Sequence, residues 1–187
     1  MILENQNEHI LVLKQTVNQH KDDITLIANE CITRLKTGGK IILFGNGGSA
    51  ADAQHMAAEL VGSFNNKQRK ALAAIALTTD TSIITSISND YTYDNVFSRQ
   101  IEAIASHQDL VIGISTSGTS KNVINALKVA KSKKCFVVGL SGNKGGNMNT
   151  FCDINIIVDS TQTSRIQEVH LFIEHSICDI IDKYFLN

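Results

Sequence analysis

The sequence predicts an α/β fold: a doubly wound parallel sheet of five strands, covered by helices on both faces and preceded by a helical extension at the N-terminus. Three observations carry this. Five short apolar runs, KIILFG (40–45), AAIAL (73–77), LVIGIS (110–115), CFVVGLS (135–141) and INIIV (154–158), lack period-two alternation, as strands buried on both faces do. Helical patterns separate the runs, and strand–helix alternation builds a parallel sheet. Three segments that follow these runs, GNGGSAADA, STSGTSKNV and SGNKGGNMN, share the same small polar turn chemistry.

Taken in order, residues 2–36 read as helix, with a break expected near Asn18 to Lys21. The second half carries a clear stripe of Ile24, Ile27, Ala28, Cys31, Ile32 and Leu35, and Gly38-Gly39 end it. Further helices are expected over 49–61, 81–88, 94–106, 120–132 and 164–186. The expected organisation is one domain over 1–187. Residues 1–38 supply helices for oligomerisation, because their apolar faces need a partner, and 39–187 form the core.

Composition narrows the function classes. The chain has 187 residues, 43% hydrophobic and 19% charged, which suits a folded core. A net charge of −1 provides no global field to recruit nucleic acid or a membrane surface. No apolar run approaches the roughly 18 residues of a membrane span. The opening MILENQNEH has no secretory pattern, so a cytoplasmic protein is expected. Cys31, Cys135, Cys152 and Cys178 are widely spaced and lie in apolar patterns, which predicts buried free thiols.

Chemistry concentrates in two places. STSGTS (115–120) ends a strand and begins a helix. Its hydroxyls and the free N–H groups of the helix start can hold a phosphate without a lysine. A capped helix start explains one such serine but not three. The loop lacks the lysine of a nucleoside triphosphate loop, and GNGGSA is not a dinucleotide fingerprint, so no nucleotide cofactor is expected. The second place is AQHMAAEL (53–60), where His55 and Glu59 share a helix face. A salt bridge, a metal site and an acid/base pair are all compatible with it. On the last helix, spacing favours Glu168 with His175, or His170 with Glu174, over Gln167 with His175, whose separation of eight residues turns them about 80° apart. His9, His20 and His107 lack supporting context and are expected at the surface.

Together, the strand followed by GNGGSAADAQHMAAEL, then SND, ISTSGTSKNV and SRIQEVHLFIEH, resemble the sugar-isomerase (SIS) family, and within it the phosphoheptose isomerases, nearly end to end. The resemblance implies a flavodoxin-like three-layer sandwich. It implies isomerisation of sedoheptulose 7-phosphate to D-glycero-D-manno-heptose 7-phosphate through an enediol, serving nucleotide-activated heptose for bacterial lipopolysaccharide or capsule. It also implies a homotetramer with active sites at subunit interfaces. Carried over by position, Ser115, Thr116, Ser117 and Ser120 would hold the phosphate. Asn46, Gly47, Gly48 and Ser49 would line the sugar, and Asn89 and Asp90 would contact its hydroxyls. Glu59 would be the base and His175 the acid. His55, Glu59, Gln167 and His175 would bind zinc, with Gln167 also touching substrate. Glutamine is an uncommon zinc ligand, and a zinc-bound Glu59 would be a weaker base. Two positions depart from relatives: Ser63 replaces a frequent arginine, and Ser164 replaces an acidic residue. Lys67, Arg69 or Lys70 could restore the positive charge. The competing reading is a non-catalytic SIS tetramer, a phosphosugar-binding or replication-initiator-associating adaptor; such proteins lack the glutamate and the terminal-helix histidine.

Overall fold

A computed structural model describes residues 1–186. Five parallel strands form one sheet in the order β2-β1-β3-β4-β5. They are β1 (Ile41–Gly45), β2 (Ala74–Ala76), β3 (Leu110–Ser115), β4 (Phe136–Gly142) and β5 (Ile154–Val158). Every residue of the central strands β1 and β3 is buried, which is why these runs read as continuous apolar stretches.

Helices cover both faces. On one side α1 (Ile2–Lys36), α2 (Gly48–Val61) and α6 (Thr163–Leu186) bury Ile27, Met56 and Ile173 against Leu43, Ile112 and Leu140 of the sheet. On the other, α3 (Thr81–Asp90), α4 (Ser98–Ile104) and α5 (Lys121–Ser132) bury Ile87, Ile101 and Leu127 against Ile42, Phe44 and Val137. The predicted three-layer sandwich is therefore present.

Helix α1 is continuous over 35 residues, so the expected break near Asn18 to Lys21 is absent. The buried positions Val12, Thr16, His20, Ile24 and Ala28 recur every four residues straight through that segment. Its polar residues simply form the outer face. His20 belongs to the buried stripe and pairs with Asp23 at 2.9 Å, so it is not the surface histidine expected. The N-terminal turns of α1 expose Ile2, Leu3, Ile10 and Leu11.

The helix expected over 94–106 is also revised. A 3-10 turn at Tyr93–Asn95 precedes the shorter α4. The carbonyl of Asp94, which a continuous helix would use internally, accepts from Asn125 of α5 at 3.1 Å. The cysteines are all free; Cys31, Cys135 and Cys178 are buried and Cys152 is half-buried.

The sheet order reverses direction between β1 and β3. Loops leaving the carboxyl ends of neighbouring strands diverge at such a switch point and open a crevice. The loops after β1 and β3 are GNGG and STSGTS, so the fold brings these two small polar turns to one place.

Candidate active site

A cavity of about 260 Å³ opens at the switch point, lined by Asn46, Gly47, Gly48 and Ser49 from one loop and Ser115, Thr116 and Ser120 from the other. Thr163 and Gln167, at the start of α6, close it. Gly47 has φ +57°, a conformation that favours glycine, and turns the chain into α2. Gly48 lets α6 approach: a Cβ there would overlap Nε2 of Gln167 and lie 2.9 Å from its Cδ.

The phosphate-type loop is internally bonded. Ser115 Oγ lies 2.9 Å from Ser120 Oγ and 3.4 Å from Ser117 Oγ, and Thr119 donates from both its backbone and its hydroxyl to Ser117 Oγ. Ser120 is the N-cap of α5 yet makes no side-chain cap bond. The helix start is thus not consumed by a capping serine, and the serine hydroxyls face one another around the loop. That is the arrangement of an anion cradle, with a helix dipole adding positive potential. Gly118 has φ +66° and packs on the backbone of Gly145 and Gly146, so the third glycine-rich segment buttresses the loop. Its Asn143 reaches a smaller adjoining cavity with Thr116, Ser117 and Thr163.

A second cluster lies further along the same two helices. His55 Nε2 is 3.2 Å from Glu59 Oε1 and 3.1 Å from His175 Nε2. His175 also stacks obliquely on Phe64, with centroids 5.4 Å apart. Of the alternatives that spacing left open on α6, His175 is therefore the one that meets α2. His170 instead donates from Nε2 to the Ser141 carbonyl at 3.0 Å, inside the core, and burial pulls its pKa down to about 4. Glu168 pairs with Arg165 and His9 at the foot of α1. Glu174 is buried with neither carboxylate oxygen hydrogen-bonded; burial, then the nearby Asp52, push its pKa well above the usual range.

The donor types at His55, Glu59 and His175 suit zinc. Two ligands on a tetrahedral zinc with bonds of about 2.0–2.1 Å stand roughly 3.3 Å apart, close to both separations above. His55 Nε2 carries at most one hydrogen, so its two contacts share a single proton or a cation in its place. The set within one chain is incomplete, however. Among the described residues, no three His, Cys, Asp or Glu side chains close on one metal position. Gln167 lies at Gly48, and eight residues of α6 set it about 12 Å along the axis from His175.

Two other expected residues lie apart from the cavity. Asn89 and Asp90 are exposed at the end of α3, bonded to each other at 2.8 Å. Asp90 lines a larger, mainly apolar hollow of about 570 Å³ with Ile83, Tyr91 and Arg99, which contains none of the loop residues. Arg69, considered as a replacement for the missing cation, is unavailable. It is buried against Asp182 and donates to the carbonyls of Glu59, Leu60 and Lys70, tying down the end of α2. The structure adds residues that motif reading missed. Asn122 and Tyr93 bond Asn46, and Thr163 lines the cavity. The polar run that continues past STSGTS into Lys121-Asn122 was a signal for Asn122; nothing local marks Tyr93.

Comparison with known proteins agrees with this fold. Residues 6–142 match the SIS domain family. The chain is 54% identical to the phosphoheptose isomerase of Aliarcobacter butzleri over 94% of its length and 92% of the relative's. The structure of the phosphoheptose isomerase from Neisseria gonorrhoeae superposes with a TM-score of 0.91 at 40% identity, covering 97% of both chains. That from Francisella tularensis gives 0.94 at 34% identity, covering 97% of this chain and 96% of the other. The chain belongs to the SIS-domain family and, within it, to the phosphoheptose isomerases.

Proposed function

We propose that the protein is an aldose–ketose isomerase that converts sedoheptulose 7-phosphate to D-glycero-D-manno-heptose 7-phosphate, feeding nucleotide-activated heptose for bacterial surface polysaccharide. The observation that carries the reading is His55 bridging Glu59 to His175 across the α2–α6 contact. A carboxylate and an imidazole from different helices are what an enediol mechanism requires. Glu59 takes the proton from C1 of the ketose. His175 gives a proton to the C2 oxygen and accepts the one leaving the C1 oxygen, so an enediol forms and collapses to the aldehyde. Glu59 returns its proton to C2. Ser115, Thr116, Ser117 and Ser120 hold the phosphate, and Asn46, Gly47, Gly48 and Ser49 line the sugar.

Zinc would be held by His55, Glu59 and His175, with Gln167 as a further ligand, and would polarise the carbonyl. Because Gln167 and His175 of one chain stand about 12 Å apart along α6, the reading places Gln167 and the phosphate loop of one copy against the histidine pair of another. Active sites then lie between subunits of a homotetramer, and Asn89 and Asp90 reach a neighbour's sugar. The exposed start of α1 supports assembly. No helix among the described residues is long and apolar enough to cross a membrane, which is compatible with a cytoplasmic enzyme.

Turnover of sedoheptulose 7-phosphate by wild type, Glu59→Gln and His175→Gln, with metal content measured on the same preparations, tests this. Both variants are expected to lose at least 100-fold in kcat. An inactive zinc-loaded wild type would sink the isomerase reading in favour of the adaptor; unchanged turnover in either variant would remove that residue from the mechanism.

A further inference from the structure

Asn46 lines the cavity, and its carboxamide orientation is set by groups outside it. The orientation is anchored by a backbone amide, which can only donate. Val123 N–H donates to Asn122 Oδ1 at 2.9 Å, which fixes which end of the Asn122 amide is oxygen. Asn122 is buried, and its Oδ1 also accepts from Asn46 Nδ2 at 2.9 Å, while its Nδ2 donates to Asn46 Oδ1 at 2.8 Å. Tyr93 OH donates to the same Asn46 Oδ1 at 3.2 Å. Both lone pairs of that oxygen are engaged. The capacity left on the Asn46 side chain is one N–H of Nδ2.

We propose that Asn122, assisted by Tyr93, is a positioning residue that holds Asn46 as a hydrogen-bond donor toward an oxygen of the bound sugar. The clasp joins the turn after β1 to the first turn of α5, the helix that follows the phosphate loop. The position of the sugar donor relative to the phosphate is thereby fixed before substrate arrives. The inference deepens the isomerase reading and rests on it for the identity of the sugar phosphate.

Asn122→Asp tests the orientation itself. One carboxylate oxygen still accepts from Val123 N–H and Asn46 Nδ2, but the other faces Asn46 Oδ1; turning the Asn46 amide over only moves the oxygen–oxygen contact to the first, so the clasp opens and the donor is no longer held. The expected result is a loss of roughly 10–100-fold in kcat/KM for sedoheptulose 7-phosphate, with the affinity for inorganic phosphate within about twofold of wild type. In an Asn46→Ala background the same substitution is expected to change kcat/KM by less than about threefold, since the group it positions is gone. Tyr93→Phe, at an exposed position, is the variant least able to disturb folding. It is expected to cost roughly 2–5-fold, also only when Asn46 is present. Unchanged turnover in Asn122→Asp, a loss that persists in the Asn46→Ala background, or loss of phosphate binding alongside would each overturn the proposal. If wild type shows no turnover, the isomerase reading fails separately. The same cycle is then read in the affinity for sedoheptulose 7-phosphate relative to inorganic phosphate, and additivity there overturns the positioning role.

Discussion

Gly48→Ala separates what the site needs from what the fold needs. Gly48 is the first residue of α2, and its φ lies outside the left-handed region. Alanine is therefore compatible with the backbone, and removing a glycine's freedom from the unfolded chain contributes about 0.4–1 kcal/mol of stability. Against that stands the overlap of the new methyl with the amide of Gln167, whose Cδ would lie 2.9 Å away. Carbon pairs prefer about 3.5–4.0 Å, so the amide must retreat by about 1 Å. It is the end of a flexible side chain at a cavity wall, so the retreat costs the fold little. A 1 Å displacement of a positioning group costs a reaction up to about 100-fold. The expected outcome is a melting temperature unchanged or raised by up to about 4 °C, with kcat/KM for sedoheptulose 7-phosphate reduced roughly 10–100-fold. In a Gln167→Ala background, Gly48→Ala is expected to add less than about threefold. Calorimetry and steady-state kinetics on the same preparations decide it. Wild-type turnover in Gly48→Ala, or a melting temperature lowered by more than about 4 °C, would refute the reasoning; the latter would mean that the helices, not the side chain, had moved.

Arg69→Met leaves Asp182 buried without its cation and frees the carbonyls at the end of α2. Breaking a buried pair from one side costs about 3–5 kcal/mol, a shift of roughly 6–20 °C by calorimetry. A loss below about 1 kcal/mol would show that the pair is effectively solvated. Glu174→Met should stabilise, and more so at high pH. The folded-state pKa of Glu174 is raised, so its favourable contribution is complete below the unfolded value and declines as pH rises, by up to about 1.4 kcal/mol per unit. Urea midpoints at pH 5 and pH 8 should therefore show a larger gain at pH 8; equal gains would mean that Glu174 does not retain its proton in the folded state.

The sheet was legible because burial on both faces of the central strands leaves a distinct mark, an unbroken apolar run; the edge strand β2 reads the same way although Ile75 is exposed. The STSGTS loop stood out because its hydroxyl density exceeds what a helix cap requires, and the structure places it in the cavity wall. The break expected near Asn18 to Lys21 is absent because the four-residue spacing of Val12, Thr16, His20 and Ile24 carries the buried face straight through that polar stretch. Arg69 was read as a free charge because nothing local marks its partner, Asp182, which lies 113 residues away. Asn122 was passed over for a related reason. The polar run past STSGTS extends to it, but its partner Asn46 lies 76 residues away across the β1–β3 switch point.

The pairing of His175 with α2 shows where local reading reaches its limit. Periodicity on α6 offered His175 with Glu168, or His170 with Glu174, and each is a sound helix-surface pairing. The choice is made by which stripe faces which neighbour. Ile166, Val169, Ile173 and Ile177 are buried in the cluster beneath α6. His170, one position beyond Val169, is carried into the core with that stripe, and Ser141 supplies the carbonyl that makes its burial tolerable. His175 falls two positions after Ile173, roughly 200° around the helix, and so emerges at the α2 side, where His55 and Glu59 await it. An imidazole in the core must be neutral and partnered, whereas one at the rim stays open to a neighbouring side chain or a ligand. The same helix therefore carries one histidine in the core and one at the α2 contact, and the apolar stripe between them decides which is which.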